Sequence, residues 1–339
     1  MEALYGAIDL HSDNSVLAII DATGKRVFDR RLPNEVDRIA AALAPFRDRL
    51  KGIVVESTFN WYWLVDGLME RGYRMHLANP AAIQQYSGLK HGDDQSDAYW
   101  LAELLRLGIL PEGYIYPKAE RAVRDLARKR GQLVRQRTAN LLSIKNTIRR
   151  STGGTVKSDV IKAMEPKGVS ELAVDADVGL AIEANVCVRA CLDEQIAKLE
   201  RAVLQRAKLK PEFEKLKSIP GVGNIVAMTI MLETGGITRF ASVGDFASYC
   251  RCVDSKRLSN KKKKGQGNTK NGNRYLAWAF VEAANFAIRY SQPIQRFHQR
   301  KQARTKNVVA IKAVAHKLAR ASYYIMRDQV IFDVDKSFT

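Results

Sequence analysis

GAIDL at residues 6–10 and GIVVE at residues 52–56 are short apolar runs, each carrying an acid at its end: Asp9 and Glu56. A third stretch, DDQSDAYWLAELLRL at 93–107, opens a helical pattern with Asp94 and Asp97 three residues apart, on one face of the helix. Carboxylates at strand ends make poor core residues, because a buried unpaired charge is costly. Gathered in one place, the four would repel one another unless a cation lay between them. Oxygen-only ligands suit Mg²⁺ or Mn²⁺. Two such ions about 4 Å apart are a device for in-line displacement at phosphorus. Each acid taken alone has a plainer reading as a turn or cap residue, and Asp93 caps the helix as well as Asp94 does.

The neighbouring elements give these acids a sheet to sit on. Residues 4–10, 16–21 and 26–32 read as three strands, broken by the turn chemistry of HSDN and ATGK, and so as an antiparallel meander. Residues 35–50 read as a helix with Val36, Ile39, Ala40 and Leu43 on one face. A strand at 52–56, a helix from 62 to 72, a strand at 73–78 and a helix from 94 to 107 follow. Strands first, then alternating helix and strand, predict a mixed sheet flanked by helices. Strand-Asp, strand-Glu, then helix-Asp-x-x-Asp is the layout of a ribonuclease-H-like metal nuclease. His11 and His76 lie near these acids in sequence and read as bystanders.

Charge divides the 339 residues unevenly. The net charge is +19, yet residues 1–100 carry 11 Lys/Arg against 14 Asp/Glu, and the remainder 44 against 22. A merely soluble basic protein explains the total but not the segregation. An acidic part that holds cations joined to a basic part that holds phosphates suits a nucleic-acid enzyme. The length predicts two or three domains. No run approaches eighteen apolar residues, and MEALYGAIDLHSDN has no basic region before its short apolar run. Neither a membrane span nor a secretory signal is expected. Cys187, Cys191, Cys250 and Cys252 lack zinc-finger spacing and read as reduced thiols of a cytoplasmic protein.

Residues 118–150 form a basic helical stripe with 11 basic and two acidic residues. Helix resumes over 178–207, with Cys187, Cys191, Ile196, Leu199 and Val203 as expected apolar positions. The two predict an antiparallel helical hairpin or coiled coil with an irregular tip over 151–170. IPGVG at 219–223 lies between helical patterns and resembles a helix-hairpin-helix turn, in which Gly221 and Gly223 would let backbone N–H groups face a phosphate. An ordinary turn is the competing reading. Between Arg251 and Arg274 there are nine basic residues and one acid. Lys261, Lys262, Lys263, Lys264, Lys270 and Arg274 make this a phosphate clamp or a plain basic loop. Ser259 lies among these cations, where an attacking alkoxide is less costly. Residues 283–327 hold ten Lys/Arg and no acid, so Arg296, Arg300, Lys301, Arg304 and Lys306 read as phosphate contacts. The tail after Asp328 reads as a loose extension.

Together these segments resemble the DEDD transposases of the insertion sequence 110 family, over nearly the whole chain. GAIDLH is similar to the first motif, VVESTFNWYW to the second, and ANP with GDDQSDAYWLAEL to the third; they put the family's acids on Asp9, Glu56, Asp94 and Asp97. LKSIPGVGNIVAMTIMLETGGITRF is similar to the opening of the C-terminal transposase domain. In VDSKRLSNKKKKGQGNTKNGNRYL the family's nucleophilic serine falls on Ser259, with Ser255 a competitor four residues earlier. The chain departs from the family at Phe59, at Gly92-Asp93 and at Asn260.

The resemblance implies a RuvC-like (Holliday-junction resolvase) N-terminal domain over 1–112. A basic helical hairpin over 113–210, a mainly α transposase domain over 211–330 and a tail over 331–339 complete the expectation. It also implies Mg²⁺, a covalent serine–DNA link and a site composed from two protomers of a dimer or tetramer. The expected partners are donor and target double-stranded DNA and a structured guide RNA. A site-specific invertase would share this chemistry. A metal-only junction nuclease would use the acids alone, and a non-enzymatic nucleic-acid binder only the basic half.

Overall fold

The computed structural model describes residues 2–83, 94–165, 169, 175–253, 256–259, 262–266 and 271–338, with backbone alone for 94–96, 256–259, 263 and 266. It divides into two compact units: Met1–Lys118 with Ser255–Asn271, and Ala119–Asp254 with Gly272–Thr339.

The first unit is built on a six-stranded mixed sheet in the order β3-β2-β1-β4-β5-β6. β1 (Leu4–Leu10), β2 (Asn14–Asp21) and β3 (Arg26–Pro33) are the antiparallel meander. β4 (Leu50–Glu56) runs parallel to β1, and β5 (Met75–Ala78) parallel to β4. Between β3 and β4 the chain forms α1 (Val36–Leu43) and then a 3-10 turn (Ala44–Arg49) in place of one continuous helix. Pro45 lacks the N–H that an α-helical turn would use there. α2 (Tyr62–Glu70) precedes β5, the short α3 (Pro80–Ile83) follows it, and α4 (Asp94–Arg106) packs across the sheet. The two-residue β6 (Glu112–Gly113) closes the far edge antiparallel to β5. His76 explains its place: Nδ1 lies 2.9 Å from Glu112 Oε1, and the ring fills the space over Gly52, where a Cβ would come within 2.6 Å of it.

The sheet has a core on each face. Ile8, Leu17, Ile19, Ile53 and Val55 meet α1 and α2 through Ile39, Leu43, Leu64 and Leu68. Ala7, Val16, Ala18 and Val54 meet α4 through Ala98, Leu101 and Ala102. Small residues on this second face let the helix approach closely.

The second unit is helical. α5 (Lys118–Thr152) enters it, α6 (Ser158–Ala163) lies at the tip, and α7 (Ala176–Ala207) returns. Arg130 pairs with Glu200 at 2.6 Å and Arg137 with Asp193 at 2.9 Å, so α5 and α7 run antiparallel. Near the tip Ile144, Ile161, Val169, Ile182 and Val186 form a small core. Cys187 and Cys191 are exposed, contrary to expectation. The inward stripe of α7 runs through Ile182, Val186, Ile196 and Val203, and the cysteines fall off it. At its root this pair shares the C-terminal core, through Val203, Ala207 and Leu126.

That core gathers α8 (Pro211–Lys217), α9 (Asn224–Thr234) and α10 (Val243–Tyr249) around a later helix. β7 (Lys256–Ser259) and β8 (Lys262–Gln266) form a hairpin counted with the first unit, where the sequence suggests an open loop. α11 (Arg274–Tyr290) is the central helix, presenting Leu276, Ala279, Phe280, Ala283, Ala284 and Ala287 to its neighbours. α12 (Gln292–Gln302) and α13 (Asn307–Asp328) cover it. The tail is not loose. α14 (Val334–Phe338) docks through Phe338, which is 3% exposed, and Lys317 Nζ donates to Ser337 O at 2.6 Å. Two aromatics in nine residues, Phe332 and Phe338, supply the burial that holds it.

Candidate active site

Side chains alternate across a strand, so Asp9 shares the face of Ala7, and Glu56 that of Val54. Ala7 and Val54 both belong to the core beneath α4. Ile8 pairs with Val55 in the parallel register, so the two acids come next on adjacent strands at the same edge. Asp9 is buried and Glu56 half-buried.

The direction of α4 brings the helix acids to that edge. Arg106, the last residue of α4, donates to Ala22 O at 3.0 Å, just past Asp21, which pairs with Leu4 at the start of β1. α4 therefore runs opposite to β1. Its first turn, with Asp94 and the half-buried Asp97, lies toward the strand end that carries Asp9. Among the described residues no three His, Cys, Asp or Glu side chains close to metal-holding distance. The Asp94 side chain lies outside the described residues.

The donor set fits a hard divalent cation, since it consists of carboxylates on rigid elements. His11 Nε2 lies 3.4 Å from Asp9 Oδ2. The turn after β1 is held from two sides: Asn34 Nδ2 and Asn60 Nδ2 both donate to His11 O, at 3.1 and 2.9 Å. Ser57 N donates to Ala78 O at 3.0 Å, which fixes the chain just beyond Glu56. Sequence reasoning missed Asn34 and Asn60. Their signal was weak, two polar residues beside a turn.

Ser259 ends β7 and pairs with Lys262, so it occupies the tip of a two-stranded hairpin. Its side chain, Ser255, Lys261 and Lys270 lie outside the described residues, as does the side chain of Lys263. Lys262 and Lys264 are exposed. Beyond the hairpin, Asn271 Oδ1 accepts from Asn79 Nδ2 at 3.3 Å, and Asn79 immediately follows β5 at the acidic edge.

Comparison with known proteins gives this arrangement its context. A model of the IS110 DEDD domain, described as Transposase, matches residues 7–151, and one described as Transposase IS116/IS110/IS902 family matches residues 213–299. The chain belongs to the IS110 family of DEDD transposases. It is 24% identical over 289 residues to a probable family 20 transposase of Pseudomonas aeruginosa, covering 80% of this chain and 82% of that one. It is 23% identical over 292 residues to the transposase for insertion sequence element IS1111A of Coxiella burnetii, covering 84% and 77%.

The helical unit of this transposase carries the remaining candidates. Gly221 has φ +86°, and a Cβ there would meet Ala287 N at 2.5 Å and Ala283 O at 2.7 Å. Packing against α11 thus requires this glycine. Gly223 is exposed, with open space where a Cβ would stand, and it precedes α9 without a side-chain cap. Arg274, Arg296, Arg300, Lys301, Arg304 and Lys306 are all exposed.

Glu233, in the last turn of α9, is 4% exposed. It receives Arg128 Nε and Nη2, each at 2.7 Å, and Asn273 Nδ2 at 2.8 Å. Burial works against the Arg128 charge, but the hydrogen bonds and field of Glu233 outweigh it and raise its pKa. Asn273 Oδ1 in turn caps α11 by accepting from Tyr275 N and Leu276 N. Burial pushes the Cys250 thiol well up and that of Cys252 to about 12, which disfavours the reactive thiolate at both. Among the described residues no helix is long and apolar enough to cross a membrane.

Proposed function

We propose that this transposase cuts and rejoins DNA strands through a phosphoserine ester on Ser259, beside Mg²⁺ or Mn²⁺ held by Asp9, Glu56, Asp94 and Asp97. The observation that carries the reading is the edge where Asp9 and Glu56 end adjacent parallel strands beneath the first turn of α4. A divalent cation there supplies charge neutralisation at the phosphoryl oxygens. Asp9 and Glu56 are held by the sheet, and the clamps on His11 and Ser57 keep their carboxylates in register for a bound strand.

Ser259 attacks phosphorus. One Oγ–P bond forms, the bond from phosphorus to the leaving sugar oxygen breaks, and the serine proton passes to solvent, from which the leaving oxygen is protonated. Attack by a sugar hydroxyl of another strand reverses these changes and frees the serine. Lys261, Lys262, Lys263, Lys264, Lys270 and Arg274 balance the phosphate charge. The open N-terminus of α9 at Gly223 and the basic face with Arg300, Lys301 and Arg304 track the duplex backbone. The α5–α7 pair, whose bridges at Arg130 and Arg137 are seven residues apart, acts as a coiled coil between copies of a dimer or tetramer.

Choice of donor and target by a guide RNA rests on the family resemblance. So does a site shared between protomers. Within one chain the β7–β8 hairpin is already counted with the acid-bearing unit, and a shared site requires it to exchange between copies. The test is calorimetric titration with Mn²⁺. Wild type and Ser259→Ala bind the ion alike, while Asp9→Asn and Asp97→Asn lose at least about tenfold in affinity. Undiminished binding in both carboxylate variants contradicts the metal site.

A further inference from the structure

The helical unit holds a cavity that the cleavage chemistry does not use. It has a volume of about 440 Å³ and lies between α5, α9 and α11. That is within the range of pockets that take small ligands. Its floor is apolar, made by Ile225, Met228 and Leu232 of α9, and Trp278 of α11 forms one wall. Trp278 is 46% exposed, whereas Leu276 and Phe280 of the same helix are fully buried. Folding therefore leaves an indole open beside an apolar floor.

The rim is cationic. Arg128 and Arg130 line the cavity but are engaged by Glu233 and Glu200. Arg135 and Arg274 also line it, and among the described residues neither has a carboxylate partner. The Tyr275 ring is already covered, with Arg128 Cζ 4.7 Å and Arg274 Cζ 5.0 Å from its centroid. Trp278 is the aromatic left to a ligand. A flat apolar body with an anionic group at one end matches an indole face, an apolar floor and two guanidinium groups. An unpaired nucleotide is such a body: its base stacks on an aromatic, and its phosphate takes a fork-like guanidinium.

We propose that this cavity seats one unpaired nucleotide of a DNA or RNA strand, with the base against Trp278 and the phosphate at Arg135 and Arg274. The proposal rests on the chain's binding nucleic acid and is independent of Ser259 and of the metal site. It gives the basic helix α5 a role in holding a strand locally opened, in addition to general attraction for phosphate.

Fluorescence anisotropy with labelled eight-nucleotide strands tests it on the full chain. The probes are oligothymidylate, oligouridylate and an abasic strand with the same phosphates. Trp278→Ala weakens binding of a base-carrying strand about tenfold, leaves the abasic strand unchanged, and is rescued by Trp278→Phe. Gly131→Leu, which fills the cavity from α5, acts in the same direction as Trp278→Ala. The ratio between the thymidylate and uridylate losses tells whether DNA or RNA is the source. Equal losses on abasic and base-carrying strands overturn the stacking site while leaving nucleic-acid binding intact. Wild-type strand affinity in Trp278→Ala, with Trp278 instead buried in a concentration-dependent dimer, assigns the cavity to a second copy and overturns the proposal. Failure of every strand to bind wild type refutes the nucleic-acid reading itself.

Discussion

Replacing Glu233 with Ala removes the acid at the centre of a buried polar network and leaves Arg128 and Asn273 facing an empty space. The Glu233 side chain is 3% exposed and that of Arg128 32%. Breaking one partner out of a buried ion pair costs about 3–5 kcal/mol. Water can reach part of the Arg128 guanidinium, which places the loss at the lower end, about 3 kcal/mol. Asn273 also loses its hold on α9, so the cap on α11 loosens where the chain leaves the hairpin. For a unit of about 200 residues, that loss lowers Tm by about 6–12 °C. The assay is thermal unfolding by circular dichroism on wild type, Glu233→Ala, Arg128→Ala and the double variant. The double variant falls short of the summed single losses by at least about 1 kcal/mol, because one interaction is removed twice. Additive losses, each under about 1 kcal/mol, refute the network as an anchor.

Gly221→Ala destabilises the helical unit by more than about 2 kcal/mol, since a left-handed backbone penalty adds to a backbone clash, whereas Gly223→Ala leaves Tm unchanged; equal Tm values for the two variants contradict this. Thiol titration of the native chain at pH 8 modifies Cys187 and Cys191 and spares Cys250 and Cys252, giving two reactive thiols until denaturant is added; four at once contradict it. Burial, then the hydrogen bond to Asp29, pushes the Tyr99 phenol up to about 12. An unfolded tyrosine titrates near 10, so the folded state holds this proton more tightly. The contribution is complete below about pH 10 and is lost as pH rises toward 12. Denaturant midpoints measured from pH 9 to 11.5 fall more steeply in wild type than in Tyr99→Phe, and parallel slopes contradict the assignment.

The acid-bearing sheet was legible in sequence because its signals are local. Alternation, turn residues at HSDN and ATGK, and apolar runs of strand length mark β1 to β5 within two residues of their observed ends. β6 is two residues long and exists through Glu112 meeting His76, a pairing no window of sequence contains. The stripe of α7 was misjudged because Cys187 and Cys191 look apolar, while the helix turns inward on Ile182 and Val186. Glu233 reads as a helix-end acid until Arg128, 105 positions earlier, is folded onto it. The four acids were proposed from residue type and spacing. The direction of α4, which puts Asp97 toward Asp9 and Glu56, needed the contact of Arg106 with Ala22. The hairpin of β7 and β8 was read as an open loop because its lysines and glycines carry little strand propensity.

The proposed reaction joins Ser259 covalently to DNA beside the four carboxylates. The most direct measurement is a denaturing gel with the chain, Mg²⁺, DNA carrying the element's junction and the RNA of its flank, followed by peptide mass spectrometry of any shifted band. Wild type yields a protein–DNA adduct whose nucleotide remnant maps to Ser259; Ser259→Ala and Asp9→Asn yield none. A remnant on Ser255, or cleavage without any adduct and equal in wild type and Ser259→Ala, contradicts the claim.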